Sequence, residues 1–410
     1  MSATYRRLLL ALLITAGILN YADRQIIAVL KPLLQEKLNW SDSDYGDLTA
    51  VFQFSSAFAL LGVGWIVDRV GWRWANPIAV GTWSLAAMAH ALTRTIGQFT
   101  VARIALGATE AFGTPTGIKT VAVFFAARER SVALGLMNAS GNVGAIVTPL
   151  FMPALALSLG WQGAFLITGA CGLVWVAAWM LFVRGSAPAM AADPGHSVAK
   201  DDGHPVSWLQ VLRDRRTWAI AGGKVFSDPV WWFLLFWAPD FFHRVFHLDM
   251  QSFAVPLALI YSAAAVGSMA GGFVSGRLVA RGMPVIKARK TTMLVCALLV
   301  VPVPLALIAP NHWLAVAILG LTLAAHQGFS VNLFALTTDV TPSARVATTI
   351  SIAALFGNLA GMGILRLAGK VIGHGVGYGL LFGMAAVAYL LALTWIHFVL
   401  PRPQAGSRPA

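Results

Sequence analysis

Apolar stretches long enough to cross a lipid bilayer recur along nearly the whole chain, and this feature excludes most folds. Water cannot satisfy backbone groups in hydrocarbon, so each spanning segment must bond internally, as a helix of about 20 apolar residues. Twelve spans are expected, at 8–30, 47–67, 75–93, 97–119, 132–154 and 162–184, then at 217–243, 252–278, 288–309, 312–338, 344–368 and 376–400. Only 11% of the 410 residues are charged and 58% are hydrophobic, against about 25% charged in a soluble domain. Lipid must therefore cover much of the surface, and the expected fold is all-α and integral to the membrane. The 15 tryptophans and 23 phenylalanines suit aromatic belts at the two interfaces.

The apolar pattern stops once for long. Pro188, Asp193, Pro194, Gly195, Asp201, Asp202 and Gly203 mark residues 185–216 as a polar linker between an N-terminal half (1–184) and a C-terminal half with a short tail (217–410). The linker ends in Arg213, Arg215 and Arg216, and Val206–Leu212 has the makings of an interfacial helix. The first apolar run follows Arg6 and Arg7 as a signal peptide would. Residues Asn20 to Arg24 lie within it and no small-residue cleavage site follows, so it is read as the first span.

The formal charge of +13 would point to nucleic acid in a soluble chain. Here the basic residues cluster between apolar runs, the pattern of cytoplasmic loops, and no nucleic-acid partner is expected. With both termini inside, 19 Lys and Arg fall in cytoplasmic segments; six (Lys31, Lys37, Arg94, Arg244, Arg366, Lys370) fall in outward loops, and four (Arg24, Arg103, Lys119, Lys224) within spans. That asymmetry sets the orientation and fits a bacterial inner membrane. Cys171 and Cys296 lie in apolar runs and are expected as buried thiols, without metal-ligand spacing.

The two halves repeat. Gly64-Trp65-Ile66-Val67-Asp68-Arg69-Val70-Gly71-Trp72-Arg73 follows span 2, and Gly272-Phe273-Val274-Ser275-Gly276-Arg277 stands 208 residues later, at the end of span 8. Gly141-Asn142 in span 5 recurs as Gly357-Asn358 in span 11, at an offset of 216. Duplicated six-span halves holding a ligand near the bilayer midplane are a transporter architecture.

The segment Gly64 to Arg73 resembles the loop motif between spans 2 and 3 of the major facilitator superfamily. The resemblance implies a gate: Gly64 permits close helix approach, while Asp68, Arg69 and Arg73, with Arg277 in the other half, pair at the cytoplasmic helix ends. Longer segments resemble the anion:cation symporters, and among them the hexuronate transporters. These are Leu19 to Gln25; Arg103 through Gly107, Glu110, Pro115 and Lys119 to Arg130; Asp228 to Phe233 with Phe236 to Pro239; and His326 to Phe334 ending at Asp339, together with Lys287 to Lys290. The chain departs from that pattern at Val121-Ala122-Val123, where an acidic residue is usual, at Phe58, where a tyrosine is usual, and in span 11, which reads Leu355-Phe356-Gly357-Asn358 and carries Arg366.

Ionisable residues at membrane depth are costly and mark functional sites. Within the expected spans stand the acids Asp23, Glu110 and Asp228 and four bases, an excess of one positive charge suited to an anion. Arg103 and Glu110 are seven residues apart, on one helix face and about 10 Å apart along the axis. The resemblance implies Asp23 and Glu110 as proton-coupling acids and Arg24 and Arg103 as anion-facing bases. Two interhelical salt bridges, Asp23–Arg103 and Glu110–Arg24, are the structural alternative. Lys224 and Asp228, at i and i+4, can pair with each other, and Lys119 can snorkel. Asn20, Tyr21, Asn142, His326, Gln327, Asn332 and Asn358 are polar groups placed to meet hydroxyls, and Trp232, with Trp231 and Trp237, offers a face for a sugar ring.

No phosphate loop, metal cluster or nucleophile constellation is present in the sequence, so an enzyme is not expected and transport would draw on an ion gradient, with protons as the coupling ion and no other cofactor. The expected function is symport of an organic anion, foremost a sugar acid such as a hexuronate or aldonate, by a monomer embedded in the lipid bilayer. Another organic anion, aromatic or dicarboxylic, is the alternative substrate, and a non-transporting membrane sensor is the alternative class.

Overall fold

The computed structural model describes residues 3–125, 127–183 and 208–401. Among these every regular element is helical: α1 (Ala3–Val29), α2 (Lys31–Leu38), α3 (Asp42–Val70), α4 (Trp72–Ala89), α5 (Ile96–Glu110), α6 (Gly113–Phe124), α7 (Ala127–Phe182), α8 (Trp208–Arg213), α9 (Arg215–Phe246), α10 (Ala254–Ala280), α11 (Val285–Val300), α12 (His312–Val340), α13 (Ser343–Gly373) and α14 (Gly379–Val399). Most of the linker, including Pro188 to Gly203, and the tail beyond residue 401 lie outside the described residues. The expected interfacial helix is represented by α8.

Eight helical stretches are long and apolar enough to cross a membrane. The elements that fall short do so for local reasons. The expected span 97–119 is divided at Ala111–Phe112 into α5 and α6. Pro115 lacks the N–H that would bond the Ala111 carbonyl, and its ring crowds that carbonyl, so a continuous helix cannot pass. Glu110 thereby becomes the last residue of α5. Helix α9 has 32 residues, but Arg215, Arg216, Lys224, Asp228, Asp240 and Arg244 lower its hydropathy. In the opposite sense, α7 runs over 56 residues and turns at Gly160, whose φ of 74° suits a residue without Cβ. The turn falls between the expected spans 132–154 and 162–184.

Helix α1 packs on α7, α3 on α5, and α4 on both α5 and α7; among the later helices α10 and α11 pack on α12, and α9 on α13 and α14. Three seams join the two sets: α3 with α13, α7 with α10, and α1 with α9. The α3–α13 seam is tightest at Gly46 and Gly369. A Cβ on Gly46 would stand 2.8 Å from Gly369 Cα and 2.9 Å from the Leu365 carbonyl oxygen, so only glycine fits. Cys296 is buried as expected, but Cys171 is exposed, on an outer face of α7.

Candidate functional site

Helices α1, α7, α9, α10 and α12 enclose a cavity of about 210 Å³ at the seams between the two sets. Tyr21, Asn142, Trp232, His326 and Gln327 line it, as do Lys224 and Asp228. Lys224 Nζ lies 2.8 Å from Asp228 Oδ2, so this i, i+4 pair forms inside the cavity wall. His326 is fixed on two sides: its Nδ1 lies 2.6 Å from the Tyr389 hydroxyl, and its ring stacks on Trp231 with centroids 5.2 Å apart. Trp232 Nε1 is buried without a hydrogen-bond partner, and that edge of the ring packs against Gly361 of α13. A second cavity of about 280 Å³, between α1, α4, α6 and α7, shares Tyr21 and Asn138 with the first and is lined also by Asn20 and Asn76.

Arg24 stands against the rings at the cavity edge. Its guanidinium carbon lies 4.9 Å from the Tyr21 centroid and 5.5 Å from that of Trp232. Arg24 Nε donates to Glu110 Oε2 at 3.0 Å and Nη2 to Asn20 Oδ1 at 3.3 Å, while Asn20 Nδ2 reaches the Glu110 carbonyl at 3.4 Å. Asn20 and Arg24, one turn apart on α1, thus face the end of α5 together. Of the two ion pairs weighed from the sequence, Arg24–Glu110 forms and Asp23–Arg103 does not. Asp23 and Arg103 are fully enclosed; the Thr168 hydroxyl stands beside the Asp23 carboxyl, and no Arg103 side-chain nitrogen has a hydrogen-bond partner. Arg103 lies between rings, 5.9 Å from the Phe52 and Phe99 centroids. It is not among the cavity-lining residues. Taking such charges out of water costs several kcal/mol each, and ionisable groups at this depth are seldom kept for stability alone.

Asn332 and Asn358 are not among the cavity-lining residues. Asn332 Nδ2 donates to the carbonyls of Gly271, at 3.0 Å, and Gly328, at 2.8 Å, and so ties α10 to α12. Beside Asn358, it is Gly357 that faces the cavity wall, leaving room for the Asp228 carboxylate.

A sequence model of the Major Facilitator Superfamily matches residues 13–362. The chain belongs to the major facilitator superfamily. It is a multi-pass membrane transporter, not an enzyme. Over 96% of its length it is 28% identical to the hexuronate transporter of Escherichia coli K12, covering 93% of that protein. It is 29% identical to the galacturonate transporter of Dickeya chrysanthemi over 64% of this chain and 79% of that one. Among solved structures, a D-xylose-proton symporter superposes with a TM-score of 0.77 at 14% identity, covering 97% of this chain and 98% of that chain. A bacterial homologue of the human lysosomal transporter Spinster, inward-facing, gives 0.75 at 19%, covering 98% and 96%.

In this member of the superfamily the two ends of the helix bundle differ. At one end Lys31, fully enclosed, pairs with Asp42 at 2.8 Å and with Asp240. Arg244 meets Asp42 at 2.5 Å and Asp240 at 3.1 Å, and the Tyr378 hydroxyl donates to Asp240. Trp237 and Tyr45 cover the Lys31 ammonium, with centroids at 4.5 and 5.1 Å. This network joins α2 and α3 to α9 and the start of α14, closing that end. Lys31, expected in an outward loop, is thus buried, and Asp240, within the expected span 217–243, joins Asp23, Glu110 and Asp228 among the buried acids.

At the other end, among the described residues, no hydrogen bond or ion pair joins the two sets. Gly64 and Gly272 have no atom within 4 Å of a built Cβ, so the close approach expected at Gly64 is not made here. Asp68, with its side chain 79% exposed, holds Lys119 of its own half at 2.9 Å. Arg69 lies over Trp65 at 4.3 Å and Arg277 over Phe273 at 5.3 Å, the same i, i+4 arrangement 208 residues apart. Arg73 lies 5.9 Å over Trp74. The residues expected to gate are thus gathered at one open mouth without touching across it.

Proposed function

We propose that the chain couples proton entry to uptake of a sugar acid, a hexuronate or aldonate, by alternating access. It does so with twelve spans in two six-helix halves, 1–184 and 217–410: α5 and α6 make one broken span, α7 makes two, and α2 and α8 lie outside the bilayer. Both termini face the cytoplasm of a bacterial inner membrane, so the open mouth faces inward and the Lys31 end outward. The named substrates of the relatives, hexuronate and galacturonate, support the substrate class.

The observation that carries the reading is the Arg24–Glu110 pair beside the polar cavity. While Glu110 is ionised it occupies the guanidinium. Once protonated it leaves Arg24 free to take a substrate carboxylate through two parallel hydrogen bonds. The charges agree with this exchange. Lys119 is neutralised by Asp68, so Arg24, Arg103 and Lys224 balance Asp23, Glu110 and Asp228, three against three. Each proton taken by Asp23 or Glu110 then leaves one positive charge for one anion. Hydroxyls of the substrate meet Tyr21, Asn142, His326 and Gln327, with the Trp232 ring beneath.

Competition binding with sugar acids and their matched neutral sugars tests this. The acids bind and the neutral sugars do so poorly. Equal affinity for both overturns the anion reading; binding of carboxylates that lack hydroxyls moves the substrate to another organic anion. Binding without uptake of labelled acid into proteoliposomes makes the protein a sensor.

A further inference from the structure

On the outer surface of the bundle, remote from the central cavity, α11 and α14 leave a groove of about 440 Å³ between them. Beyond Pro284 and Ile286, at the start of α11, two chemistries line it in order along the helices. Lys287 and Lys290 come from the first turns of α11, and His397 from the last turn of α14; Leu294 and Leu393 stand deeper along the same helices. Lys287, Lys290, Thr291 and Leu294 are at i, i+3, i+4 and i+7, so they form one stripe about 10 Å long. Neither lysine has an acidic partner among the described residues, and no acid lines the groove. The intervening Arg289 turns to the other face of α11, where it meets Asp339 at 3.1 Å and the Ser275 hydroxyl at 2.8 Å.

We propose that this groove binds an anionic phospholipid of the leaflet at the open mouth. Lys287 and Lys290 hold the phosphate-bearing headgroup, Thr291 offers a hydroxyl, and an acyl chain runs inward along Leu294 and Leu393. The occupant follows from charge and order together. A soluble anion would leave the apolar floor unused. A zwitterionic lipid would bring its own cation against two lysines. A basic entrance over an apolar floor, between membrane helices, matches an anionic headgroup with its attached chain.

Purified full-length protein titrated with phosphatidylglycerol, phosphatidylcholine or inorganic phosphate tests the site, with retained adducts read by native mass spectrometry and Tm measured alongside. Phosphatidylglycerol is expected to be retained and to raise Tm; the other two are not. A lysine near an anionic headgroup is worth a factor of roughly five in affinity. The double variant Lys287→Gln/Lys290→Gln should therefore lose roughly 25-fold for phosphatidylglycerol and keep its response to phosphatidylcholine. The single variants, each losing roughly fivefold, serve if the double variant does not fold. Equal retention of both lipids by the wild type, or undiminished phosphatidylglycerol binding by the variants, overturns the proposal. So does inorganic phosphate reproducing the full stabilisation, which would make this a free-anion site.

Discussion

Arg24 Nε and Glu110 Oε2 stand 3.0 Å apart, joining the first helix to the end of α5, while the other Glu110 oxygen is buried without a hydrogen-bond partner. Glutamine at this position keeps an acceptor for Arg24 but never carries the negative charge. Glu110→Gln should therefore abolish accumulation driven by a proton gradient and spare exchange of internal for external substrate. Wild-type accumulation by the variant, measured in proteoliposomes, would remove Glu110 from the coupling role.

The two arginines should separate. Arg24→Lys keeps the charge and loses the planar fork, so substrate affinity should fall about tenfold or more, on the scale of a charge-assisted bond of about 1.5–3 kcal/mol. Arg103 has no bonded partner to lose. Burying a guanidinium costs several kcal/mol of lost hydration that an apolar side chain of similar size does not lose. Arg103→Met should keep or raise Tm and still abolish accumulation. A marked fall in Tm would show that Arg103 is structural.

Lys31→Met leaves Arg244 as the one cation of the network for Asp42 and Asp240. Breaking a buried pair from one side costs about 3–5 kcal/mol, and here that cost falls on the closed end. In a background of Cys171→Ser and Cys296→Ser, a cysteine replacing the cavity-lining Ser268 should react faster with an impermeant thiol reagent added from outside when Lys31→Met is present. Unchanged labelling would show that the network does not hold the end shut.

Glycine at 369 should be needed for closure. A Cβ there would stand 2.6 Å from the Asp42 carbonyl oxygen and 2.9 Å from Gly46 Cα, both backbone atoms that cannot yield cheaply. Gly369→Ala should slow exchange several-fold, about tenfold if the clash costs about 1.4 kcal/mol, while Gly363→Ala, where nothing lies within 4 Å, should not. Equal exchange rates in the two variants would place the α3–α13 contact outside the cycle.

The helices were legible because hydropathy and proline act locally: α1, α3 and α10 to α14 follow from apolar length, and the turn at Gly160 falls where two expected spans part. The division of α5 from α6 was legible in principle from Pro115, yet apolar continuity masked it. Tyr21, Asn142, Trp232, His326 and Gln327 stand out in the sequence as polar or aromatic groups within spans, and they share one cavity. Lys31 and Asp240 were not paired in advance, since 209 residues separate them and counting charges by loop assigns each to a side without asking what it meets. Asn332 shows the converse: an amide in a span has backbone carbonyls within reach, and pattern alone cannot tell which acceptor it takes.

The network around Lys31 contains two cations, Lys31 and Arg244, and two anions, Asp42 and Asp240, so its sum is zero. A membrane potential does work only on net charge that moves through it, about 2.3 kcal/mol per elementary charge per 100 mV. Parting two balanced halves of this cluster sideways carries no such charge along the field. The Lys31 network then adds no voltage dependence of its own, and depolarising the membrane should change the rate of accumulation without changing how readily this network parts.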